Sequence, residues 1–138
     1  MRKSNLSAQE AELLAMKSVN IFMTAPTRTL LDKDPKENRS RAVRRFATIL
    51  ITAHDAGNAK ILPEVKRVVK LSGPRERRAI RNGAEVDWVK AIVWLPREMI
   101  QRIEQIFGPE EITPSEFLRA AVIMGVKPKE LIPFIPFP

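Results

Sequence analysis

No cysteine occurs among the 138 residues of this chain, which removes disulfide cross-links and thiolate metal centres together. The single histidine, His54, cannot build a histidine cluster. Tyrosine is also absent and there are only five glycines, with no run able to wrap a phosphate, so nucleophilic, acid–base and nucleotide-dependent catalysis all lack their usual residues. Asp32, Asp34 and Glu37 come nearest to a metal cluster, but Lys33, Pro35 and Lys36 interleave them as in a solvated turn. No apolar run approaches the ~18 residues of a membrane span, and the N-terminus lacks the charged-then-apolar order of a secretory signal. These absences predict a cytoplasmic protein that is not an enzyme, needs no metal or cofactor, and has no membrane partner.

What is present is positive charge and enough apolar content for one core. Lys and Arg total 24 against 16 Asp and Glu, a formal charge of +8, and hydrophobic residues make up 44%. A small basic protein suits a polyanionic partner, nucleic acid before all others. The length is that of one ordinary domain, or of two very small units sharing a core.

Along the chain, residues 1–17 read as an arm with a helical candidate capped by Ser7 and Glu10. Val19 to Ala25 then alternates Val19, Ile21 and Met23 with Asn20, Phe22 and Thr24, the period-two pattern of a strand, and Pro26 ends it. A short helix at most is expected around Arg28 to Asp32. From Asn38 to about Asp55 a stronger helix follows, with Val43, Phe46, Ala47, Leu50 and His54 on one face and Arg39, Arg41, Arg44 and Arg45 crowding its first turns. Gly57-Asn58 stops it.

Residues 59–87 form a basic connector. Eight basic residues lie between Lys60 and Arg81 against Glu64 and Glu76, and two short helices broken at Ser72-Gly73-Pro74 fit its pattern, with Pro63 near the start of the first. A second strand from Trp88 leads into a helix over Pro96 to Phe107, striped by Met99, Ile100, Ile103, Ile106 and Phe107. Gly108-Pro109 closes that helix. Thr113 as N-cap, Pro114 in the first helical position and Glu116 completing a capping box start the last one. Residues 127–138 hold four prolines and an apolar Phe-Ile-Pro-Phe-Pro finish, fit for a strap over the core or for docking a partner.

The same order, a strand followed by helices, thus occurs at residues 18–58 and again at 88–126. Lys90-Ala91-Ile92-Val93-Trp94-Leu95-Pro96-Arg97-Glu98 resembles the strand-to-helix junction of ribbon-helix-helix DNA-binding proteins of the Arc/MetJ type, and Thr113-Pro114-Ser115-Glu116 resembles the start of their second helix. The tandem arrangement is similar to single-chain members that serve as accessory factors in conjugative or T-DNA transfer, TraY and the agrobacterial virulence accessory protein. The resemblance implies an α+β, mostly helical fold: a tandem ribbon-helix-helix whose two-stranded antiparallel ribbon forms within the chain, making residues 18–126 one domain and a monomeric pseudo-dimer. It also implies binding to double-stranded DNA, as a plasmid-transfer accessory factor or a transcriptional repressor, with a relaxase or other protein as a further partner and possible association on DNA.

A ribbon in the major groove reads bases with its outward side chains. Those are expected to be Asn20, Phe22, Thr24, Lys90, Ile92 and Trp94, with Val19, Ile21, Met23, Ala91, Val93 and Leu95 inward. Phe22, Ile92 and Trp94 are unusual for the family, which favours polar or basic groove residues, and packing under an arm or tail is the alternative for them. Helix starts carry outward-pointing N–H groups and partial positive charge, so Asn38, Arg39, Ser40, Arg41, Thr113 and Ser115 are expected at phosphates. Lys66, Arg67, Arg75, Arg77 and Arg78 would add sequence-independent affinity. Two rivals share these features: an antitoxin-like module that binds a partner through the apolar tail, and an obligate homodimer in which only the second unit is a ribbon-helix-helix.

Overall fold

The structure, a computed structural model, describes residues 15–73 and 88–127. The arm candidate at Ser7 and Glu10, the second connector helix, the basic residues Arg75, Arg77, Arg78 and Arg81, and the apolar tail all lie outside the described residues.

Two strands carry the architecture. Strand β1 spans Met16–Thr24 and β2 spans Trp88–Pro96. They pair antiparallel within the chain, from Met16 opposite Pro96 to Thr24 opposite Trp88, as a two-stranded sheet. The alternation of the sequence sets which face goes inward. Ile21, Met23, Ala91, Val93 and Leu95 are buried and Val19 is half-buried, and a one-residue slip would turn this whole set to water. A two-stranded sheet of this kind is marginal alone and needs a layer beneath it.

Among the described residues five α-helices supply that layer: α1 (Ala25–Leu31), α2 (Arg39–Asp55), α3 (Ile61–Leu71), α4 (Arg97–Phe107) and α5 (Pro114–Val126). The protein is therefore a mostly helical α+β fold with one two-stranded antiparallel sheet. Helix α5 sits at the centre and packs against β1 and the other four helices. Phe117, Leu118, Ala120, Ala121, Val122, Ile123 and Met124 are all buried, so it is apolar almost all round, as a central helix must be. Phe107 at the end of α4 stacks on Phe117 with ring centroids 4.4 Å apart. The outer helices bury one stripe each: Ala42, Val43, Ala47 and Leu50 from α2, Ile61, Val65 and Val68 from α3, and Ile100, Ile103, Ile106 and Phe107 from α4.

Several boundaries differ from the sequence expectation. Strand β1 begins at Met16 rather than Val19, because β2 offers partners opposite Met16, Lys17 and Ser18. Helix α1 starts at Ala25, since Thr24 caps it and Pro26 is tolerated in a first turn where its missing N–H costs nothing. Pro96 is the last residue of β2 and α4 starts at Arg97. On α2 the expected apolar face is buried at Val43, Ala47 and Leu50, whereas Phe46 and His54 are half-buried and Ala42 joins the core.

Candidate nucleic-acid interface

The outward face of the ribbon is a strip of cross-strand pairs: Ser18 with Trp94, Asn20 with Ile92, and Phe22 with Lys90. All six side chains are exposed. Phe22 retains 52% of its accessible surface, Ile92 48% and Trp94 45%. No described element covers these apolar residues; the arm and the tail that would pack over them in the alternative lie outside the described residues. Exposed apolar groups scattered singly are ordinary, whereas several on one strip form a patch of the kind found at contact surfaces. Ser18 belongs to this face although the strand pattern, starting at Val19, left it out.

Thr24 leaves the set. It shares the parity of Asn20 and Phe22, yet it is 4% exposed. Its Oγ1 accepts the Thr27 backbone N–H at 3.3 Å and lies 2.8 Å from the Thr27 hydroxyl. Because α1 begins at the next residue, this hydroxyl caps a helix instead of reaching a groove.

The two helix starts flank the ribbon. Asn38 caps α2, its Oδ1 accepting the Arg41 N–H at 2.8 Å. Thr113 caps α5, accepting the Glu116 N–H at 3.1 Å, while the Glu116 carboxylate accepts the Thr113 N–H at 3.0 Å. The second helical residue of each is a serine that reaches the ribbon. The Trp94 N–H donates to Ser40 Oγ at 2.9 Å, and the Ser115 hydroxyl donates to the Asn20 carbonyl. Each helix start is thus pinned to the backbone of one strand, at the residues that present side chains outward. Ser40 and Ser115 serve first as these ties.

The two starts differ electrically. Helix α2 has no acidic residue in its own first turn; the nearest carboxylates, Asp32 and Glu37, belong to the preceding turn and are bound by Arg39 and Arg45. At α5 the Glu116 carboxylate already occupies the N-terminus, which makes it the poorer place for a phosphate.

The arginines of α2 also divide. Arg39 donates Nε and Nη2 to the two oxygens of Asp32 at 3.0 and 2.7 Å, and Arg45 grips Glu37 in the same bidentate way at 3.0 and 2.9 Å. These hydrogen bonds hold both carboxyls below their ordinary values, against a smaller opposing effect of desolvation. The acids missing from residues 39–45 are thus supplied by the preceding turn, and Arg39 is not a free phosphate contact. Arg41 is exposed and has no salt bridge among the described residues. Among the connector residues, Lys66 pairs with Glu110 at 2.9 Å, whereas Arg67 is exposed on α3.

Sequence reading missed Arg119. Its guanidinium is largely buried, donating to Ser72 Oγ at 3.0 Å and to the Val69 carbonyl at 3.3 Å, and burial lowers its pKa from the usual arginine value. It closes the C-terminal end of α3 against α5, where a cation meets the negative end of the helix dipole. Partners 47 and 50 residues away leave no local signal. A separate, half-open pocket of about 360 Å³ lies between α2 and α5, lined by Phe46, Ile49, Leu50, Ala121, Met124 and Gly125 with Arg45 and Lys127. Among the described residues no group of acidic and histidine side chains could hold a metal ion, and no helix is long and apolar enough to cross a membrane.

Comparison of the chain with protein-family models, with curated proteins and with solved structures gave no match.

Proposed function

We propose that this protein binds double-stranded DNA by laying the outer face of its β-ribbon in the major groove, as a tandem ribbon-helix-helix folded from one chain. The observation that carries the reading is the self-paired ribbon: two nine-residue strands far apart in sequence pair with each other, and no described element covers their outer face. The major groove admits such a two-stranded ribbon. In this reading β1 with α1 and α2 is one copy of the unit, and β2 with α4 and α5 is the other. The serines at the second position of α2 and α5, each bonded to ribbon backbone, are the trace of that internal symmetry.

Recognition is asymmetric. Asn20, Phe22, Lys90, Ile92 and Trp94, with Ser18, face the bases, while the start of α2 with Arg41 is the stronger phosphate clamp. Arg67 and the net charge of +8 add affinity for any duplex, since phosphate contacts position and base contacts specify. The biological setting that best suits a single-chain binder of this kind is an accessory role in plasmid or T-DNA transfer, with a relaxase as protein partner, or repression of a promoter.

The test is selection of bound duplexes from a random pool by the full chain, followed by mass measurement in dilute solution. Enrichment of a common sequence by a folded monomer supports the proposal. Failure to retain any duplex at low salt contradicts it. A dimer that falls apart only with unfolding contradicts the single-chain ribbon.

A further inference from the structure

The chemistry of the ribbon face narrows the DNA it would choose. Three of its six side chains, Phe22, Ile92 and Trp94, are apolar and about half exposed. In the major groove the edges of base pairs present donors and acceptors everywhere, and one apolar group only: the C5 methyl of thymine. A strip this apolar finds complementary surface on thymine and buries unpaired polar edges on the others.

The neighbours of the apolar residues fit the same base pair. Asn20 stands directly opposite Ile92 in the ribbon, and cross-strand partners are ~5 Å apart at Cα, close enough for both side chains to reach the groove edge of one base pair. An Asn amide pairs with adenine N6 and N7, and the thymine methyl lies on the same groove edge of that pair. The Ser115 hydroxyl fixes the Asn20 backbone through its carbonyl, so the Asn20 side chain starts from a held position. Phe22 opposite Lys90 combines an apolar group with a cation suited to guanine O6 and N7.

Resting on the DNA-binding reading above, we infer that the ribbon selects thymine-bearing sites by their methyl groups, with an A·T pair under Asn20 and Ile92. Ile92 is the specificity residue for the methyl, and Asn20 for the adenine of the same step.

The experiment uses the full chain and a pool-selected duplex about two helical turns long, made once with thymine and once with deoxyuracil at the same positions. Deoxyuracil keeps the pairing and deletes the methyl. The expected result is a loss of about fourfold in affinity for each contacted methyl, the effect of one buried CH2-sized group. Ile92→Ala, at an exposed position that leaves the core intact, should bind the thymine duplex more weakly and lose less than the native chain on the deoxyuracil exchange, by about the fourfold of one methyl. Circular dichroism confirms its folding. Equal affinity of the native chain for the thymine and deoxyuracil duplexes overturns the methyl inference while leaving DNA binding in place. The same loss on exchange in Ile92→Ala as in the native chain overturns the assignment to Ile92. A chain that binds neither duplex overturns the DNA-binding reading itself.

Discussion

Replacing Thr24 with valine separates the two roles open to that residue. The side chain keeps its shape and β-branch, so packing changes little, but two interactions go. One is the cap, in which Thr24 Oγ1 accepts the Thr27 N–H at 3.3 Å, worth ~1 kcal/mol. The other is the 2.8 Å contact between the two hydroxyls. Thr27 is 2% exposed, so its hydroxyl would be left buried without this partner, at ~1–3 kcal/mol. The expected loss for Thr24→Val is about 2–4 kcal/mol, a fall of roughly 1–4 M in the urea midpoint at an unchanged slope of ~1–3 kcal/mol/M. Adding Thr27→Val removes the stranded hydroxyl and should return more than half of the loss, because two apolar groups of the same shape satisfy each other. Discrimination between a selected and an unrelated duplex should stay as in the native chain. A wild-type midpoint for Thr24→Val, or a selective loss on the preferred duplex, would refute the assignment of Thr24 to the helix cap.

Other expectations follow from the ion pairs and from one glycine. Arg41→Ala should lower the magnitude of the slope of log affinity against log salt by about 0.9, whereas the charge-neutral double change Asp32→Asn with Arg39→Gln should leave it unaltered; the reverse ranking would show that Arg39 touches phosphate. Because Arg39 depresses the Asp32 carboxyl, the stability from this pair is complete above the ordinary Asp value of 3.8 and disappears as pH falls through the lowered folded-state value. Being one-third exposed, the pair is worth well under about 1 kcal/mol, and Arg39→Gln should flatten the acid limb of a stability–pH curve below pH ~4 without changing it at neutral pH by more than that. At Gly125 an added Cβ would stand 2.3 Å from Phe46 Cδ1. Overpacking of ~1–3 kcal/mol there outweighs a helix-propensity gain of ~1 kcal/mol, so Gly125→Ala should destabilise; Phe46→Leu in the same chain should relieve it, and a stabilised single variant would contradict the close approach.

How much of this was legible in the sequence depended on range. The strand interiors were readable because alternation alone decides a two-faced strand, and Ile21, Met23, Ala91, Val93 and Leu95 are buried as their period requires. The start of β1 was not, because Lys17-Ser18 carries no alternation and is ordered only by its partners Leu95 and Trp94. Helix starts were readable at Asn38 and Thr113, where a cap and a following turn lie within four residues. Thr24 misled because parity along a strand was carried one residue too far, into a position where the next helix uses the hydroxyl. The arginine-rich start of α2 misled in another way: counting charges within seven positions missed Asp32 and Glu37, which the turn folds back onto Arg39 and Arg45. The ties of Ser40 to Trp94 and Ser115 to Asn20 span 54 and 95 residues. No local pattern encodes them.

Duplex DNA is proposed to meet the outer face of the ribbon. Amide and indole chemical shifts of the full chain, recorded during titration with a pool-selected duplex, test it most directly. Perturbations should concentrate on Ser18, Asn20, Phe22, Lys90, Ile92 and Trp94, including the Trp94 indole N–H, with a second group at the start of α2 around Ser40 and Arg41. Perturbations confined to another surface, such as Phe46, Ile49 and Met124 between α2 and α5, or none at all at saturating duplex, would contradict it.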